Sequence, residues 1–276
     1  MTRSVRTRRP VRLAAVGAAA LLALSACSSS DDSDSGSGKS DPSASASASS
    51  KVSGDITVFA AASLKESFTT LGKEFESAHP GAKVTFSFGG SDSLAASITG
   101  GAPADVFASA SPKTMKVVTD AGGNATAPAT FVRNQLEIAT LPGNPDKIAS
   151  LKDLTNKDLK VVLCDKTVPC GAAAEKALTA SKLKLTPVSY EEDVKSALNK
   201  VVLKEADAAV VYKTDVKAAG SKVEGVEFPE SAGAVNDYPI TLLKESKNTE
   251  TAKAFIAFVQ SAEGQKVLTA AGFLNP

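Results

Sequence analysis

The 276-residue chain carries 31 basic and 30 acidic side chains, 43% hydrophobic residues, three cysteines and one histidine. All five ionisable residues before Cys27 are arginines, so the sequence beyond that point holds 26 basic against 30 acidic groups, a net charge of −4. That balance leaves no basic patch for nucleic acid. The lone histidine, His79 beside Pro80-Gly81, argues against a zinc site.

Arg3, Arg6, Arg8, Arg9 and Arg12 precede an apolar run, Leu13 to Leu24, that is too short to span a bilayer and has the shape of a signal-peptide core. Arg8-Arg9 fits a twin-arginine pattern poorly, so ordinary secretion is expected. Leu24-Ser25-Ala26-Cys27 resembles the lipobox of bacterial lipoproteins. The resemblance implies a signal peptide over 1–26, cleavage before Cys27 and lipidation of its thiol. Ser28 to Ser53 is nearly all Ser, Asp, Gly and Ala. It reads as a flexible tether, with a reach of about 25–30 Å by the random-coil estimate. A lipid, a tether and a folded body predict a protein held at the outer face of the cytoplasmic membrane. In that exported context Cys164 and Cys170 are expected to form a disulfide closing a small loop, worth about 2 kcal/mol. Two buried thiols are the alternative.

The body from Gly54 is long enough for two lobes. Asp55 to Ala61 reads as a strand that stops at small residues, and Ser63 with Glu66 reads as a capping box opening a helix. Leu64, Phe68, Leu71 and Phe75 continue that helix at 3–4 spacing. Lys83 to Phe88 alternates as a strand and runs through Gly89-Gly90-Ser91 into a helix. Asp105 to Ala108 is a buried strand, and Ser111-Pro112 opens a further helix. This alternation predicts a mostly parallel sheet covered by helices. Phe131 to Leu141 reads as one long strand crossing into a second lobe. There follow a strand Lys160–Leu163, a helix from Gly171, a helix begun by Glu192-Asp193-Val194, and a strand Ala208–Tyr212. Val235 to Leu243 is a return strand, and helices over Thr249–Gln260 and Gln265–Ala271 finish the chain. Helix openings present unpaired N–H groups and a positive dipole end, so a cleft where several converge favours an anion.

Six segments occur in order: Phe59-Ala60-Ala61-Ala62-Ser63-Leu64, Phe88-Gly89-Gly90-Ser91, Gly101-Ala102-Pro103-Ala104-Asp105-Val106-Phe107, Val168-Pro169-Cys170-Gly171, Glu192-Asp193-Val194 and Val210-Val211-Tyr212. Together they closely resemble the molybdate-binding proteins of ABC transporters, over nearly all of the chain from Asp55. The resemblance implies a two-lobed α/β fold of the type II periplasmic-binding-protein kind, each lobe a mostly parallel sheet flanked by helices. Residues 54–131 and 236–276 would form one lobe and 132–235 the other. It implies a tetrahedral oxyanion, molybdate or tungstate, held between the lobes by neutral donors, with no cofactor and no direct protein–metal ligand. The donors carried over are hydroxyl and N–H of Ser63 and of Ser91, the N–H groups of Cys170 and Val194, and the Tyr212 hydroxyl. Many relatives have alanine at the place of Cys170, which matters little if only the backbone binds. Asp105 and Glu192 are expected to orient loops or cap helices rather than touch an anion. The implied partners are a membrane permease and a separate ATPase subunit, since the chain has no phosphate-binding Gly-x-x-x-x-Gly-Lys loop; the binding protein itself is expected to be a monomer. A protein for another tetrahedral oxyanion, such as sulfate or phosphate, would keep this fold. A serine hydrolase using Ser63 lacks a plausible base, and a purely structural surface lipoprotein would not need a convergent donor set.

Overall fold

The computed structural model describes residues 52–276. The expected signal peptide, the expected lipidation site Cys27 and nearly all of the expected tether lie outside the described residues. The body opens with β1 (Gly54–Ala61), α1 (Lys65–Ala78), β2 (Ala82–Gly89), α2 (Ser91–Thr99), β3 (Val106–Ala108) and α3 (Pro112–Asp120). It continues with β4 (Ala129–Asn134), β5 (Leu136–Thr140), β6 (Val161–Cys164), α4 (Pro169–Ala180), β7 (Ser189–Glu191) and α5 (Val194–Val202). It ends with β8 (Ala208–Tyr212), α6 (Lys213–Ala219), β9 (Glu224–Val226), β10 (Asn236–Leu242), α7 (Thr249–Gln260) and α8 (Ala262–Ala270).

Two five-stranded sheets result, in the orders β2-β1-β3-β10-β4 and β7-β6-β8-β5-β9. They repeat one arrangement. Three strands joined through helices lie parallel, β2-β1-β3 in the first and β7-β6-β8 in the second. The remaining pairings are antiparallel. The two-sheet α/β fold is therefore as expected, but each sheet is mixed rather than mostly parallel. The physical cause is connectivity: β4 with β5, and β10, carry the chain between sheets and enter against the direction of the βαβ units.

The segment read as one long strand is two. β4 ends at Asn134 and β5 begins at Leu136, with Gln135 between them. Val132 and Arg133 still pair with β10, so the change of sheet falls at Gln135, slightly later than the 131/132 boundary expected from sequence. The return falls at Val235, just before β10.

Each sheet has its own core. Phe68, Phe75, Phe131 and Phe255 interlock beneath the first, with ring centroids 5.4 to 6.1 Å apart. In the second sheet all five residues of β8 are buried, which is why Ala208 to Tyr212 reads as a continuous apolar run and not as an alternating one. Ser111 caps α3 as expected, accepting the Thr114 N–H at 3.2 Å with Pro112 next to it. α8 begins at Ala262, earlier than the expected Gln265, because Ser261 caps it by accepting the Gly264 N–H. His79 ends α1 with its ring against Phe75, 4.6 Å between centroids.

Candidate functional site

β1, β2, β6, β7 and β8 each stop at a helix or turn opening, and these ends bring the five expected residues around one cavity. Ser63 lies in a 3-10 turn, Ala62–Leu64, before α1. The capping box expected of Ser63 and Glu66 is absent. The Ser63 hydroxyl instead meets the Tyr238 hydroxyl at 2.8 Å, and the Glu66 carboxylate takes the Lys195 ammonium at 2.7 Å. Both side chains that would have closed the cap have partners elsewhere.

Ser91 is the first residue of α2, and its Oγ accepts the Ala110 N–H at 3.0 Å. Val194 is the first residue of α5. The Asp193 carboxylate caps that helix by accepting the N–H groups of Lys195 and Ser196, at 2.7 and 2.9 Å. The cap thus uses the next two donors and leaves the Val194 N–H, which has no acceptor within the helix. Cys170 is the second residue of α4 and lies 5.8 Å, Cα to Cα, from Cys164 at the end of β6, to which it is joined by a disulfide. Opening that bond by mutating both cysteines to alanine should lower unfolding free energy by about 2 kcal/mol in denaturant titrations. Tyr212 ends β8, and its hydroxyl accepts a hydrogen bond from Asn236 Nδ2 at 2.6 Å. Burial pushes its pKa well above the ordinary phenol value, so the phenol stays protonated.

Ala61, Ala62, Gly89 and Gly90 also line the cavity, and their small size brings backbone close to whatever occupies the space. The cavity measures about 20 Å³ as the room open to the centre of a water-sized sphere. A sphere of that volume has a radius of about 1.7 Å, the scale of four oxygens around one central atom. Among the described residues no lysine, arginine or histidine lines it. Its one acid, Asp193, is turned onto its own helix. Hydroxyls and helix-start N–H groups are the chemistry available, a set that offers hydrogens to an anion without a fixed positive charge. No group of His, Cys, Asp and Glu suited to a metal ion occurs among the described residues.

Several residues here were missed in the sequence. Asn236 and Asn134 stand at the two changes of sheet, Asn236 on Tyr212 and Asn134 with Nδ2 3.3 Å from the Tyr238 hydroxyl. Their signal in the sequence was slight, since each is an amide at a strand end beside a charged residue, Arg133 or Asp237. Lys195, from α5, spans two carboxylates: Glu66 beside the first sheet and the fully buried Asp215 at 3.0 Å beside the second. Its pKa is raised: burial alone would lower it, and the charges and hydrogen bonds of Asp215 and Glu66 outweigh that cost. Asp105 does orient a loop, accepting from the Thr57 N–H, the Ser246 hydroxyl and the Lys247 N–H. Glu192 places its backbone carbonyl 2.8 Å from where a side-chain carbon on Gly90 would sit.

Residues 56–274 match the family model of the bacterial extracellular solute-binding proteins. The chain belongs to that family. This solute-binding protein is 45% identical over 221 residues to the molybdate-binding protein ModA of Mycobacterium tuberculosis H37Rv, a match covering 80% of this chain and 85% of that one. Its fold is similar to the periplasmic molybdate-binding protein of Azotobacter vinelandii, with TM-score 0.71 and 20% identity over 80% of this chain and 99% of the other. It is also similar to the sulfate-binding protein SubI of Mycobacterium tuberculosis H37Rv, with TM-score 0.68 and 20% identity over 79% and 86%. At that identity the two structures speak for the fold alone. Family membership makes the chain a binding protein and not an enzyme, working outside the cytoplasm.

Proposed function

We propose that this protein captures molybdate, and tungstate with it, outside the cytoplasm and delivers it to the permease of an ABC transporter. The observation that carries the reading is the cavity itself: five residues from both sheets offer hydroxyls and helix-start N–H groups around space for one tetrahedral oxyanion. The 45% identity to a molybdate-binding protein supports this ligand over the sulfate that a shared fold alone would allow. Ser63 and Ser91 give two donors each, and Cys170, Val194 and Tyr212 one each. A fully deprotonated dianion accepts all of them and leaves nothing unpaired. An oxyanion bearing a proton lacks an acceptor for it, a mismatch that costs about 1–3 kcal/mol.

Ser63 and Ser91 belong with the first sheet, and Cys170, Val194 and Tyr212 with the second. Capture then works by closure of two lobes that divide at Gln135 and Val235, because only a ligand between them satisfies the whole donor set. A lipid on Cys27 and the Ser28–Ser53 tether would hold the protein near its permease. The ATPase is a separate subunit in this reading, and the protein acts as a monomer.

The site is tested by titrating molybdate while following tyrosine emission. The chain has three tyrosines and no tryptophan, and two of the three lie at or beside the cavity. Tyr212→Phe should weaken molybdate by about 1.5–3 kcal/mol, the value of one hydrogen bond to a charged partner. An unchanged affinity would remove Tyr212 from the site.

A further inference from the structure

We infer that Tyr238, Asn134 and Asn236, none of which lines the cavity, fix the direction of its hydroxyl hydrogens and so make the site reject oxyanions that carry a proton. The inference rests on the oxyanion reading of the cavity and names what would set its selectivity.

A hydroxyl can donate or accept, so three hydroxyls around a cavity do not by themselves make a donor-only site. Their direction is decided by the groups behind them, and here each is anchored to a backbone group whose polarity is unambiguous. Behind Ser91 stands the Ala110 N–H, which can only donate, at 3.0 Å. The Ser91 oxygen accepts it, and its own hydrogen is left for the cavity.

Behind Tyr212 stands Asn236. Its Nδ2 lies 3.3 Å from the Pro169 carbonyl, which can only accept, so the amide nitrogen and not the oxygen faces that way. The same Nδ2 lies 2.6 Å from the Tyr212 hydroxyl. Tyr212 therefore accepts from Asn236 and offers its hydrogen forward.

Behind Ser63 the relay has one more member. The Gln135 N–H donates to Asn134 Oδ1 at 3.0 Å, which turns Asn134 Nδ2 toward Thr214 at 2.8 Å and toward the Tyr238 hydroxyl at 3.3 Å. Tyr238 accepts that bond and meets Ser63 Oγ at 2.8 Å. That contact has no direction of its own; since Tyr238 already accepts from Asn134, the arrangement that uses its hydrogen sends it to Ser63 and leaves the Ser63 hydrogen for the cavity. Tyr238 is fully buried, and burial raises its pKa far above the ordinary phenol range, so it keeps the hydrogen it passes on.

The Ser91 and Tyr212 oxygens thus each accept a hydrogen bond from behind, and Ser63 joins them when Tyr238 donates to it, so the hydroxyl hydrogens point at the cavity and oppose the hydrogen of a ligand O–H. Removing a relay member lets that hydroxyl turn and present an oxygen lone pair to a ligand O–H, without touching the ligand. Tyr238→Phe keeps the ring and its edge contacts with Tyr212 and Phe273, at 6.0 and 5.5 Å between centroids. Asn236→Ala does the same for Tyr212 through an independent group.

The test is competition of inorganic phosphate against molybdate at about pH 8, where phosphate is mostly a dianion carrying one O–H. In each variant the ratio of phosphate to molybdate affinity should rise at least about tenfold over wild type, with the heat-unfolding midpoint of the ligand-free protein as a folding control. A purely structural role would lower both affinities together; an unchanged ratio in both variants overturns the inference. Wild-type protein that binds no molybdate would overturn the oxyanion reading and this inference with it, a result distinct from an unchanged ratio.

Discussion

Gly90→Ala should reduce molybdate affinity by at least about a hundredfold while leaving the ligand-free protein as resistant to heat as wild type. Gly90 has an ordinary negative φ of −59°, so alanine is not strained there by its backbone. What stops it is proximity. A Cβ at this position would lie 2.8 Å from the backbone carbonyl oxygen of Glu192, which belongs to the second sheet's side, and 2.7 Å from Asp92 Oδ1. The Asp92 side chain can turn away, but the Glu192 carbonyl stands immediately before α5 and moves only with it. An added methyl would therefore hold Ser91 apart from Val194 and break the donor set into halves. Since the clash exists only when the halves meet, the open protein has no reason to unfold. Isothermal titration with molybdate and a thermal scan without it separate the two effects. Equal affinity for wild type and variant would show that this approach is not needed for binding.

Lys195→Met should cost about 3–5 kcal/mol of stability, the usual consequence of leaving one member of a buried ion pair alone. Asp215 is fully buried, and Lys195 is its ion-pair partner, with 17% of its own side chain exposed. Glu66→Gln removes the other contact of the same lysine. Because Glu66 is 49% exposed, that change should cost no more than about 1 kcal/mol. The difference between the two variants distinguishes a buried pair from a surface one, and denaturant titration measures both.

The sign of the pH dependence follows from Asp215. Burial raises its carboxyl from 3.8 to about 6, with Lys195 pulling the other way. A carboxyl whose folded value exceeds its unfolded one contributes most stability below the unfolded value, and that contribution is lost as pH rises through about 6. Without Lys195 the carboxyl is raised further and its cost at neutral pH grows. The gap between Lys195→Met and wild type should therefore be widest at neutral pH and narrow in acid, where a protonated Asp215 needs no partner. A gap that widened in acid would place the effect elsewhere.

The strands and helices that carry the site were legible in the sequence because each rests on local signals. Ser111-Pro112 and Asp193 cap helices as their residue types suggest, and the run Ala208–Tyr212 is a strand buried on both faces. The five cavity residues were legible through the resemblance of their motifs, and the structure brings all five together. What stayed hidden depends on contacts across the fold. Ser63 and Glu66 have the spacing of a capping box, yet Tyr238 lies 175 positions from Ser63 and Lys195 lies 129 from Glu66. No local pattern announces such partners. The mixed character of the sheets was hidden for a related reason: β4 and β10 look like any apolar strand until the chain's return path sets their direction. The break at Gln135 is a single residue in a run that otherwise reads as continuous.

The measurement that tests the central claim most directly is isothermal titration of the purified protein with molybdate, tungstate, sulfate and phosphate in turn. One-to-one binding of molybdate and tungstate, with sulfate much weaker and phosphate weaker still, is the expected result. Sulfate or phosphate binding more tightly than molybdate would contradict the account while leaving the fold in place, and no binding of any of the four would remove the oxyanion reading of the cavity altogether.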